Sequence, residues 1–159
     1  MFRFTIKLYL HSENSSDVVA VIQNDQICYS AYDIGYLLKK KNPLKWAQIN
    51  ATSHLQNNSI VLNRFNYGLI EETTLISILK NSSVDDSNAS YFLKLILQDI
   101  NVEVIKNRLG EYLIIVCPSA QFWGIPYRQW ITNQKTILNI QELYATSVPY
   151  DCSQDGNTL

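Results

Sequence analysis

Two groups of residues in this chain have types and spacings that could do chemistry: a run of lysines and a pair of adjacent glutamates. Lys39, Lys40 and Lys41 are consecutive, Asn42 and Pro43 follow, and Lys45 adds a fourth ammonium group. Ammonium groups placed just before a helix start offer two phosphate-binding devices, the cations themselves and the backbone N–H groups of the helix's first turn. Glu71 and Glu72 could serve as general acid and base. Neighbouring residues on a helix do not face each other, however, and acids in a first turn are expected there for their interaction with the helix dipole. Neither His11 nor His54 has a second histidine or a cysteine at ligand spacing. Cys28, Cys117 and Cys152 are odd in number and widely separated, which points to free thiols in a reducing compartment rather than to disulfides or a zinc knuckle. Cys28 and Cys117 fall in expected strands, where a small buried apolar role suits them. The five glycines are dispersed, so there is no phosphate-cradling loop. The expectation is a protein that is not an enzyme, with no metal and no cofactor.

The lysines depend on the elements around them. Ser30 precedes "AYDIGYLLKK", and Asp33 three residues later imitates a capping box with Asp in place of Glu. Asp33 is therefore expected to be a capping residue. Ala31, Ile34, Leu37 and Leu38 share one face of a helix over 31–40. The lysines then sit at its C-terminal end, where positive charge complements the dipole. Asn42 reads as the N-cap, and Pro43 as the first residue, of a second helix over about 43–49 that carries Leu44, Trp46, Ala47 and Ile49.

Upstream, "FRFTIKLYL" places Phe2, Phe4, Ile6, Leu8 and Leu10 at period two, a strand with one buried face. "VVAVIQ" and "ICYS" predict a hairpin around Asn24-Asp25-Gln26, with no glycine to fix the turn type. Downstream, "IVLNRF" predicts a strand, and Glu71 and Glu72 open a helix through Leu75, Ile76, Ile78 and Leu79. A longer helix over about 88–101 turns Ala89, Phe92, Leu93, Ile96 and Ile100 inward, and "RLGEY" leads into the strand "YLIIVC". "YRQWITNQKTILNIQELY" reads as one interrupted helix or two. The expected fold is α+β, a small, mostly antiparallel sheet with packed helices. Residues 1–117 form the main domain, 118–150 a helical or irregular extension, and 151–159 a flexible tail.

At 159 residues and 47% apolar composition, one domain can bury a real core. No apolar run approaches the ~18 residues of a transmembrane candidate. The N-terminal stretch alternates with Arg3, Thr5 and Lys7 and lacks a small-residue cleavage site, so an intracellular protein is expected, with no membrane partner. The formal net charge of −1 is unevenly spread. Residues 1–64 hold seven Lys or Arg against four acids, and residues 65–159 hold six against ten. A neutral total can thus hide a basic face.

The order of these motifs resembles the Bro-N domain of baculovirus repeated-ORF proteins and phage antirepressors. Tyr29, Ala31, Asp33, Leu38, Lys41, Asn42 and Pro43 fall on that family's first helix and turn. Ile70, Glu72, Leu75, Ser77 and Ser82 fit its next motif. Ala89 and Phe92 follow after a two-residue insertion, and Gly110 and Tyr112 match the final turn. The likeness spans about residues 18–115. Three places depart from the pattern: Leu38-Lys39-Lys40 stands for Leu-Gly-Tyr, Leu95 for a helix tryptophan, and Asn101-Val102 for Leu-Pro. The resemblance implies DNA binding in viral or phage regulation of transcription or replication, in a host nucleus or cytoplasm if viral. Only about 45 residues follow the matching region, which implies a stand-alone or trimmed version of the family.

The expected DNA-contacting residues are Lys39, Lys40, Lys41, Asn42, Lys45 and Gln48, with Asn50 within reach and Arg64 joining them. The DNA is double- or single-stranded. Tyr32, Tyr36 and Trp46 could stack on bases of a single strand, although helical spacing with Ile49 favours a core role for Trp46. The alternative is a protein-interaction module on the same scaffold. Its host or viral protein partner would meet Phe122, Trp123, Tyr127 and Trp130, because aromatic side chains anchor interfaces. Self-association into a homo-oligomer is compatible with either reading.

Overall fold

In the computed structural model, the period-two pattern of the N-terminus becomes strand β1 (Phe2–His11), followed by β2 (Asn14–Gln23) and β3 (Gln26–Ser30). The structure describes residues 1–11, 14–54, 68–82, 87–98, 100–117 and 124–147. Asn24 and Asp25, at φ 52° and 62°, turn the chain between β2 and β3. Both are in the left-handed region, as a two-residue type I′ hairpin requires, and Asn and Asp tolerate it best after glycine.

The remaining elements are α1 (Ala31–Leu37), α2 (Pro43–Asn50), β4 (Leu69–Glu71), α3 (Glu72–Ser82), α4 (Ser87–Leu97), β5 (Asn101–Lys106), β6 (Tyr112–Val116), β7 (Ile125–Pro126) and α5 (Tyr127–Ser147). The strands order as β4-β3-β2-β1-β6-β5-β7. Every pairing is antiparallel except β1 with β6. This is the expected α+β class with a mostly antiparallel sheet.

Register explains where the core sits. Phe4 faces Ala20 and Ile6 faces Val18 across β1–β2, Ala20 faces Tyr29, and Ile6 faces Ile114 across the parallel pair. These side chains share one face of the sheet and are 0–1% exposed. Ile34 and Leu37 of α1, Ala47 of α2, Leu75 and Leu79 of α3, Phe92 and Ile96 of α4, and Tyr127 and Ile131 of α5 join the same cluster. The five helices among the described residues thus all contribute to one core cluster. On the other face Val19, Val21, Cys28 and Leu69 form a smaller cluster, beside the ion pairs Arg3–Glu111 and Lys7–Asp17.

Several boundaries differ from expectation. α1 stops at Leu37 rather than near residue 40, and α4 stops at Leu97 rather than near 101. Residues 101–106 form β5, whose alternating "NVEVIK" carried the strand period. Glu71 ends the short strand β4, so only Glu72 lies in the first turn of α3. Leu93 and Ile100 are half-buried rather than core, and Leu95 takes an inward place. α5 is one continuous helix, joined to the core of residues 1–117. The expected strand at 60–65 and the tail at 151–159 lie outside the described residues. Among the described residues no helix is long and apolar enough to cross a membrane.

Candidate nucleic-acid interface

The corner between α1 and α2 is built by three local devices. Ser30 caps α1, its hydroxyl accepting from Asp33 N at 3.3 Å. Asp33 also reaches beyond its own helix. It is 5% exposed, and its Oδ2 accepts from Val19 N at 2.8 Å. β3 leaves the ladder at Ser30, and the carboxylate takes the N–H that β3 no longer meets, so α1 is fastened to β2. The C-terminal end of α1 closes in a Schellman arrangement, with Lys40 N bonding Gly35 O and Lys39 N bonding Tyr36 O, each at 3.0 Å. Lys39 occupies the position that glycine usually takes there, at φ 58°.

Asn42 then caps α2, its Oδ1 accepting from Lys45 N at 3.1 Å, with Pro43 at the first helical position. α1 and α2 touch closely at Gly35, where an added Cβ would lie 2.9 Å from Trp46 Cε3 and 3.3 Å from Pro43 Cα. Trp46 packs against the core, as does Tyr32. Neither is a free stacking platform, whereas Tyr36 is 66% exposed. With Ala47 buried against α1, Ile49 lies about 200° further round the helix. It is 71% exposed, contrary to its expected place beside Trp46 in the packed face.

The structure brings Lys39, Lys40, Lys41, Asn42, Lys45 and Gln48 together on one solvent-facing corner, and all six are exposed. The three consecutive lysines lie beyond the last turn of α1, which itself contains no basic residue. Immediately past the C-cap, they still face the negative end of the helix dipole, which accounts for part of this charge. Internal pairing does not account for it. Arg3, Lys7 and Arg128 each hold a carboxylate, and Lys106 lies over the Tyr112 ring. Lys39, Lys40, Lys41 and Lys45 meet no acid among the described residues. Between Asp33 and Glu71 the sequence contains no acid at all. Asn42 Oδ1 is committed to its cap and Asn50 Nδ2 to Trp46 O at 2.8 Å, while Gln48 makes no bond within the described chain. Arg64 lies outside the described residues.

The aromatic surface expected at the C-terminal side is corrected by burial. Tyr127 is 0% and Trp130 5% exposed. Trp130 packs against the rings of Phe2, Phe4 and Tyr112, with centroids 5.0–6.0 Å apart. Both are core anchors that dock α5, because its first turns lie across the sheet's apolar face. Phe122 and Trp123 lie outside the described residues.

One polar network was not anticipated. The Tyr127 hydroxyl lies 2.7 Å from that of Tyr29, Tyr29 donates to Glu72 Oε2 at 3.2 Å, and Arg128 bonds the same oxygen. Burial raises both tyrosine pKa values above the usual 10. Glu72 also borders an open cleft of about 150 Å3 with Asp25, Glu71 and Lys135. Residues 98 positions apart carry no sequence signal for such a contact. Burial lifts the Cys28 thiol to about 11, which leaves it protonated and unreactive at neutral pH. Among the described residues no group of three or more His, Cys, Asp or Glu is placed to hold a metal. No family model, curated protein or solved structure matches this chain.

Proposed function

We propose that the chain is a DNA-binding protein of viral or phage regulatory type, which holds phosphates at the α1–α2 corner. The observation that carries this reading is the set of four exposed lysines that meet no acid among the described residues, on a corner held rigid by Gly35, Asp33 and the Asn42 cap. Unpaired cations on a stiff turn bind a polyanion without first breaking internal ion pairs. Lys39 adds to the argument. A lysine with positive φ costs more than the glycine it replaces, and such strain persists where the site uses it. In the Bro-N pattern that position is a glycine, so this chain has placed a charge where the resemblance implies a neutral turn. The resemblance supports the same regulatory role. The test is a titration of labelled duplex and single-stranded oligonucleotides at two salt concentrations. Micromolar or tighter binding that weakens steeply with salt is expected, and no binding near 0.1 M salt ends the reading.

A second reading, a protein-interaction module on the same scaffold, moves to the exposed side of α5. Ile137, Ile140, Leu143 and Tyr144 recur there at helical spacing and are 47–68% exposed. Loss of a captured partner on Ile140→Asp, with DNA binding absent, would favour it.

A further inference from the structure

We propose that α2 is a groove-reading helix, presenting Lys45, Gln48 and Ile49 to base edges in the major groove of duplex DNA while Lys39–Lys41 hold the flanking phosphates. This rests on the DNA-binding reading above and adds to it the form of DNA and a sequence preference. α1, a five-residue turn and α2 are two consecutive short helices whose connection is slightly longer than the turn of about three or four residues in a helix-turn-helix unit. In such units the second helix enters the major groove. Within α2, Lys45, Gln48 and Ile49 lie on the side away from Ala47, and all three are exposed. At 1.5 Å per residue, α2 is about 12 Å long and spans roughly three or four base pairs.

The chemistry on that face is suited to bases rather than to phosphates alone. A glutamine amide pairs with adenine N6 and N7, a lysine reaches guanine O6 and N7, and an aliphatic side chain packs on the thymine methyl. Gln48 is the amide of α2 that makes no bond among the described residues, whereas Asn50 is tied to Trp46 O. Ile49 has no packing role in the fold at 71% exposure. The face holds no carboxylate, the usual acceptor for cytosine N4. Single-strand binders rely on successive stacking rings. Here Trp46 and Tyr32 are half-buried and packed against the core, which leaves Tyr36 as the exposed ring of the three.

The test is a selection by the full chain from random 20-base-pair duplexes, followed by affinities for the selected duplex, a scrambled duplex and the corresponding single strand. The expected result is a short preferred core with adenine or guanine contacts, bound more tightly as duplex than as single strand. Gln48→Ala should remove the preference, weakening the selected duplex roughly tenfold or more. Replacing Lys39, Lys40 and Lys41 with Ala should weaken selected and scrambled duplexes alike. If lysine-dependent binding persists without any enriched sequence, or the single strand binds as tightly, the groove-reading proposal fails and the DNA-binding reading stands. No binding to any DNA overturns both.

Discussion

Gly35 of α1 lies so close to Trp46 of α2 that a single methyl group at residue 35 would come within 2.9 Å of the indole. That contact fixes the two helices against each other and so fixes how the lysine turn is presented. Gly35→Ala gains helix propensity, yet it must push aside Trp46 and the Pro43 backbone. Overpacking of this kind costs about 1–3 kcal/mol. A lower midpoint in thermal or urea melts is expected, and an unchanged or raised midpoint would show that the corner is loosely packed.

Asp33 tests the link from the same helix to the sheet. Asp33→Ala leaves the buried Val19 N–H without an acceptor, at a cost of about 1–3 kcal/mol. Asp33→Asn keeps a carbonyl oxygen there and should recover part of the loss. Equal losses in the two variants, read from urea midpoints, would mean that the hydrogen bond contributes nothing.

Stability should fall on the alkaline side. Cys28, Tyr29 and Tyr127 are all held protonated in the fold, chiefly by burial, and would ionise more readily once unfolded. Above their ordinary pKa values, about 9 for the thiol and about 10 for the phenols, the unfolded state therefore binds fewer protons than the folded state. Stability is then lost as pH rises. It is present in full below pH 9 and declines beyond it. Tyr127→Phe removes one of these groups, so its urea midpoint should fall less steeply between about pH 9.5 and 11. A slope equal to that of the parent protein would contradict the assignment.

Lys39 separates the demands of folding from those of binding. Lys39→Gly relieves the positive φ and should raise stability by up to about 1 kcal/mol. It should also weaken DNA affinity. A variant that is both more stable and equally tight would show that Lys39 touches no phosphate.

How much of this could be read from the sequence depends on the range of the interaction concerned. The period-two run of β1, the apolar face of α1 and the Asn42-Pro43 start of α2 are local signals, and each appears in the fold. The exposed lysine corner followed from them. The end of α1 did not, because Lys39 takes a conformation normally left to glycine and the local pattern gave no sign of it. β5 was missed because its short alternation abuts a helix and gains its identity from β6, the strand it pairs with. The partner of Asp33 lies 14 residues away, and Trp130 meets Phe2 and Phe4 from the far end of the chain. Such contacts are set by topology, so exposed and buried aromatics looked alike in the sequence.

The most direct test of the DNA-binding reading is the dependence of log K on log salt for one duplex, measured for the parent chain and for the variant with Lys39, Lys40 and Lys41 all replaced by Ala. These positions carry no core side chain, so the fold should survive, as circular dichroism would confirm. Each lost phosphate contact should lower the magnitude of the slope by roughly 0.9, and affinity should fall with it. A parent chain that binds well, beside a variant with the same affinity and the same slope, would place the binding surface elsewhere and contradict the account.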